Sequence, residues 1–189
     1  SSGVTPLFDD PRIRWAEEQF GGFRGMRALA LGPLEGGHSY MLDRSGATSV
    51  DAVEANTRGY LKCLIAKELL GMEAVRFHLG DFMAYVSAPD DLTSAWIGEG
   101  SRYDVAIASG VLYHMQEPVE LLAGLAAIAD RLFIWTQYFE QERIDALGPN
   151  ERVFAPVETR MYDGFEYECV VQHYGVSLAT DGFCGGPEH

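Results

Sequence analysis

Ala28-Leu-Ala-Leu-Gly-Pro-Leu-Glu-Gly-Gly-His38, read with Val50-Asp-Ala-Val-Glu-Ala-Asn56, decides the fold of this chain. A short apolar strand enters a glycine-bearing loop, a helix follows, and a second apolar strand ends on the acid Glu54. This arrangement suits a nucleotide cofactor. The loop brings backbone N–H groups to an anionic ligand at a helix N-terminus, and the carboxylate accepts hydrogen bonds from ribose hydroxyls.

Outward from this stretch, strand-like and helix-like periods alternate. Arg12 to Phe20 reads as a short helix ahead of Gly21-Gly22, and Arg27 to Leu31 as the first strand. A helix from an Ser39 N-cap to Arg44 precedes a strand over Ser49 to Val53. The next helix is capped by Asn56 and stopped at Gly71, with Tyr60, Leu61, Leu64, Ile65 and Leu69 as its expected core stripe. Val75 to Leu79, Tyr103 to Ala108 and Arg131 to Thr136 read as three more strands. Pro118 opens a helix whose expected inner face is Val119, Leu122, Leu125, Ala126 and Ile128, and Phe165 to Tyr174 reads as one late strand. Nearly continuous apolar strands between amphipathic helices predict a doubly wound α/β domain with a mostly parallel sheet. Ligands of such folds bind at the carboxyl ends of the strands.

Composition narrows the function. The 189 residues are 47% hydrophobic, without repeats or low-complexity tracts, which predicts a single domain over 1–189. No apolar run is long enough to span a bilayer and no leader precedes them, so a soluble, cytoplasmic protein is expected. Cys63, Cys169 and Cys184 have no paired spacing, which argues against a disulfide framework, and no metal site is expected. A net charge of −14 opposes nucleic acid as a partner, because gripping phosphates needs a contiguous basic face. Composition says nothing about the oligomeric state.

Four strand-end segments, in order across 27–136, resemble those of the Rossmann-like S-adenosylmethionine-dependent methyltransferases. They are Ala30-Leu-Gly-Pro-Leu-Glu-Gly-Gly37, Val53-Glu-Ala-Asn56, Gly80-Asp-Phe82 and Tyr103-Asp-Val-Ala-Ile-Ala-Ser-Gly-Val-Leu-Tyr-His114, and the last is most like the small-molecule members. The resemblance implies S-adenosylmethionine as cofactor and a small-molecule acceptor. It puts Gly32, Glu35, Gly36 and Gly37 around the methionyl end, Glu54 and Ala55 at the ribose, Asp81 and Phe82 at the adenine, and Ser109 and Gly110 beside the sulfonium. His114, close to that point, is the candidate proton acceptor, with packing or cofactor lining as its other reading; His38 reads as a turn or capping residue. The acceptor is expected to meet residues 1–26 and 137–189, and Tyr138, Phe139, Tyr162, Phe165, Tyr167 and Tyr174 cluster in the second of these segments.

Two departures stand out. The family's acid at the end of strand one is Ala30 here, and a middle glycine of its loop is Leu34. Glu35 is the candidate to replace the lost carboxylate. The closing helix and antiparallel hairpin of the family are expected to be missing, cut away or altered. A catalytically silent cofactor-binding domain is therefore the alternative reading. A nicotinamide-dependent oxidoreductase is opposed by the lack of G-x-G-x-x-G, and an RNA-modifying enzyme by the acidity.

Overall fold

A computed structural model describes residues 6–87, 102–146 and 154–171. A 3₁₀ turn (Leu7–Asp9) and helix α1 (Pro11–Phe20) precede strand β1 (Arg27–Leu31), helix α2 (Gly37–Arg44) and strand β2 (Ser49–Glu54). Helix α3 (Thr57–Leu70), strand β3 (Val75–Leu79) and the short helix α4 (Phe82–Ser87) follow. Strand β4 (Val105–Ser109), a 3₁₀ turn (Leu112–His114), helix α5 (Pro118–Ile128), strand β5 (Leu132–Trp135) and helix α6 (Gln141–Ala146) lead to a hairpin of β6 (Glu158–Tyr162) and β7 (Phe165–Cys169).

The five strands β1–β5 form one parallel sheet in the order β3-β2-β1-β4-β5. The reversal of direction at β1 and β4 opens the crevice at the strand ends. Alternation along each strand splits the core in two. Ala28, Ala30, Val50, Ala52, Val105, Ile107 and Phe133 pack with Leu42 of α2 on one face, and Leu29, Leu31, Val53, Ala106 and Ala108 pack under Leu121 and Leu125 on the other. On this second face Asp51 is buried yet served: His78 Nε2 lies 2.9 Å from its Oδ1 and the Tyr103 hydroxyl donates to its Oδ2 over 3.1 Å. Arg76 adds an ion pair, and the Tyr85 and Tyr103 hydroxyls bond to each other, which ties α4 to the middle of β2.

Several expectations are corrected. α2 is capped by Gly36 at φ 82°, and Ser39 lies inside the helix, because the left-handed turn at Gly36 starts the helix early. The stripe of α3 points outward: Leu61, Ile65 and Leu69 are 54, 61 and 78% exposed, and Leu64 is exposed too. The buried positions are Gly59 and Cys63, with Tyr60 packed beside them. In α5 the buried residues are Leu121, Leu125 and Ile128, and Ala126 is exposed. α4, α6 and β6 have no counterpart among the elements the sequence predicts. The hairpin is present but altered: β6 and β7 make their own two-stranded sheet, and among the described residues no strand joins the outer edge of β5. The late strand ends at Cys169, and Tyr174 lies outside the described residues.

Candidate functional site

The loop after β1 carries three left-handed residues, Gly32 at φ 59°, Leu34 at φ 56° and the α2 cap Gly36 at φ 82°. A Cβ on Gly32 would lie 3.1 Å from Val111 Cγ2, so the chain leaving β1 passes tightly against the chain leaving β4. Gly36 and Gly37 face the protein. A Cβ on Gly36 would meet Phe77 Cζ at 3.2 Å, and one on Gly37 the Leu7 carbonyl oxygen at 2.4 Å, which is forbidden. The structure therefore explains these two glycines by packing.

Glu54, at the tip of β2, is only 4% exposed. Its Oε2 accepts the Leu34 N–H over 2.8 Å and its Oε1 the Asn56 N–H over 2.9 Å. Burial raises its pKa above the ordinary carboxylate value, against the opposing effect of backbone N–H groups from Asn56, Leu34 and Ala55. Gly59, which the sequence reading passed over, makes this possible: a Cβ there would stand 3.1 Å from both Glu54 Cδ and the Leu34 oxygen. A glycine inside a helix, where it costs about 1 kcal/mol against alanine, was the available signal.

The neighbouring strand ends complete the rim. Asp81 is exposed, and its Oδ1 accepts the Met83 N–H over 2.8 Å, opening α4, whose first residue is the half-buried Phe82. Ala55 is half-buried beside Glu54. Ser109, the last residue of β4, is buried, and Gly110 at φ 83° turns the chain away beneath the Tyr113 hydroxyl. The His114 ring lies 4.2 Å from that of Tyr113, and burial lowers its pKa. Glu35 is engaged elsewhere: its Oε1 accepts from Lys62 of α3 over 2.7 Å, and this bond chiefly holds its pKa down.

A second group was not legible as a unit. Asp10, fully buried, caps α1 by accepting the Arg12 N–H and pairs with the Arg12 guanidinium at 2.5 Å and with His38 Nε2 at 2.9 Å. Burial raises the Asp10 pKa, but the bonds to Arg12 and His38 outweigh it, so the carboxyl stays well below the usual range. The Arg12 guanidinium lies 4.3 Å from the centre of the Trp135 ring, at the end of β5. Asp10-Pro11, a cap followed by proline, is the one local signal. On the opposite flank the hairpin meets the Gln116–Glu117 turn: Tyr167 donates to Glu117 Oε2 over 3.0 Å, and Arg160 donates to the Gln116 carbonyl. Tyr138 is exposed, and Cys184 lies outside the described residues. Among the described residues no cluster of three or more His, Cys, Asp or Glu forms a metal site, and no helix is long and apolar enough to cross a membrane.

Solved structures share this architecture. The N-terminal domain of EvdMO1, in a crystal structure with SAH bound, is 29% identical with a TM-score of 0.52, covering 63% of this chain and 45% of that one. The same domain in the presence of SAH and D-fucose gives 28% identity and a TM-score of 0.53, over 68% and 49% of the two chains. This chain has the S-adenosylmethionine-dependent methyltransferase fold. Two more distant likenesses show the breadth of that fold. Magnesium protoporphyrin IX methyltransferase from Synechocystis PCC 6803, with bound SAH, is 17% identical with a TM-score of 0.51 over 85% of this chain and 78% of that one. The [4+2]-cyclase SpnF is 19% identical with a TM-score of 0.51 over 62% and 40%. The methyltransferase-fold chain thus spans about half the length of the EvdMO1 chains it matches. No protein-family model and no curated sequence matches it.

Proposed function

We propose that this chain binds S-adenosylmethionine at the ends of β1–β4 and directs methyl transfer to a small-molecule nucleophile. The observation that carries the reading is the meeting of Gly32, Glu54, Asp81 and Ser109-Gly110 on one rim of a fold whose solved relatives hold SAH. When bound, the cofactor supplies an electrophilic methyl group on its sulfonium.

The protein's own part is binding and alignment. The Glu54 carboxylate has roughly four acceptor positions, and backbone N–H groups take three, which leaves capacity for a ribose hydroxyl. Asp81, Phe82 and Ala55 line the neighbouring strand ends for the adenine and ribose, and Gly32 and Gly110 keep the backbone free of side chains beside the sulfonium. Glu35, Gly36 and Gly37 serve as loop scaffold. His114 is held neutral by burial and accepts the proton of a hydroxyl or amine acceptor. The acceptor is assigned to the side of the Tyr113–His114 turn, next to which the hairpin docks on Gln116–Glu117. The D-fucose present with the EvdMO1 domain supports a small polar acceptor.

Calorimetric titration with S-adenosylhomocysteine tests the reading. Binding is expected in the wild type, weakened about 10- to 100-fold in Glu54→Ala, the range of a charge-assisted hydrogen bond. No binding at millimolar ligand overturns the cofactor assignment, and unchanged affinity in a folded Glu54→Ala variant removes Glu54 from the site. Ala30 and the left-handed Leu34 favour a second reading, a binding domain without turnover; formation of S-adenosylhomocysteine with any member of an acceptor panel excludes it.

A further inference from the structure

Ser109 ends β4 with a hydroxyl that has no hydrogen-bond partner among the described residues. A hydroxyl buried in this way costs free energy that alanine would avoid, so it points to a partner beyond the described residues. The position says what that partner is. Val105 and Ile107 belong to the same apolar layer as Ala28 and Ala30, so alternation puts Ser109 on that face as well. Ala30 pairs with Ile107 across the β1–β4 ladder, and Ser109 therefore lies one pleat nearer the rim, beside Gly32. This is the end of β1 where the resemblance calls for an acid and the chain offers the methyl group of Ala30. Glu35, the alternative replacement, is already paired with Lys62.

Resting on the cofactor site proposed above, we infer that the Ser109 hydroxyl binds the charged amino-acid end of the cofactor, in place of the carboxylate that Ala30 lacks. Its oxygen accepts from the ammonium group, and the orphaned hydroxyl finds its partner only in the complex. Serine at this position thus trades stability of the free protein for affinity. Ser39, the other buried serine hydroxyl without a partner among the described residues, lies within α2 and takes no part.

The test compares S-adenosylhomocysteine with 5′-methylthioadenosine, which lacks the amino-acid end, by calorimetry. Ser109→Ala is expected to weaken S-adenosylhomocysteine about 10-fold, the range of a hydrogen bond to a charged group, and to leave methylthioadenosine within about twofold. Its unfolding temperature in the absence of ligand stays level or rises, and Ser39→Ala leaves both affinities unchanged. Unchanged S-adenosylhomocysteine affinity in Ser109→Ala, an equal loss for both ligands, or a lowered unfolding temperature overturns the inference. If the wild type binds and Ser109→Ala is indifferent, the cofactor assignment stands and only the role of Ser109 falls. If the wild type does not bind, both fall.

Discussion

Leu34 is gripped at both ends. Its N–H donates to Glu54, and its carbonyl oxygen lies where Gly59 has no side chain and 3.7 Å from Cys63 Sγ. These contacts hold a leucine at φ 56°, in a region that costs an L-residue about 1–2 kcal/mol. Leu34→Gly removes that strain at the expense of roughly 0.5–1 kcal/mol of chain entropy. The net expectation is a rise in unfolding temperature of roughly 2 °C for a domain of this size, read by calorimetry; a fall would show that the leucine side chain stabilises the loop by more than its backbone strain costs. Glu54 itself was legible as an acid at the end of an apolar strand. That the loop's own N–H groups occupy it was not, since that depends on where Leu34 and Gly59 come to lie, 20 residues and 5 residues away in sequence.

At the scale of elements, spacing revealed α3 and its cap but not which side faces inward. Apolar residues at three-four spacing define a stripe, and the sheet chose the opposite side, where the small residues Gly59 and Cys63 allow close approach to β2. Gly124 does the same for α5, since a Cβ there would come 2.6 Å from Val86 Cγ2 of α4. Leu69→Gln is accordingly expected to change unfolding free energy by no more than about 0.5 kcal/mol, whereas Leu121→Ala costs about 2–5 kcal/mol. Denaturant titration of the two variants checks this, and a large loss for Leu69→Gln would put the stripe back in the core. The altered placement of the hairpin is likewise set by tertiary contacts. Its strands β6 and β7 have their ring-bearing and charged residues on a largely exposed ribbon, and the contacts of Arg160 and Tyr167 with the Gln116–Glu117 turn determine where it docks.

For the molecule as a whole, stability is expected to depend on pH through His38 and His114. Burial lowers both pKa values below the ordinary 6.5, although Asp10 opposes the effect at His38. The unfolded chain then takes up protons that the native protein resists as pH falls below about 6.5, so stability declines in that direction. Asp10 acts lower in the range: its depressed pKa contributes stability above the unfolded value near 4, which is lost on further acidification. Unfolding temperatures between pH 7.5 and 5.5 should fall in the wild type and fall less in His38→Gln, where an amide keeps the bond to Asp10 without titrating. An identical slope in the variant would remove His38 from the account. The charge of −14 says only that the protein repels polyanions; the placement of Asp10, Arg12 and His38 in one buried group is a product of the fold.

The sequence by itself determined the five core strands with helices α1, α2, α3 and α5, the parallel sheet, and the strand-end segments at Gly32, Glu54, Asp81 and Ser109. Each of these is written locally, in apolar runs, caps and turn residues that act within a few positions. Tertiary structure alone decided that Gly36 and Gly37 serve packing, that α3 turns its leucines outward, that Asp10 reaches His38, and that Ser109 keeps a buried hydroxyl without a partner in the described chain. Those outcomes depend on which surfaces meet once the sheet is assembled, and burial and hydrogen-bond satisfaction between distant residues leave no periodic trace in the sequence.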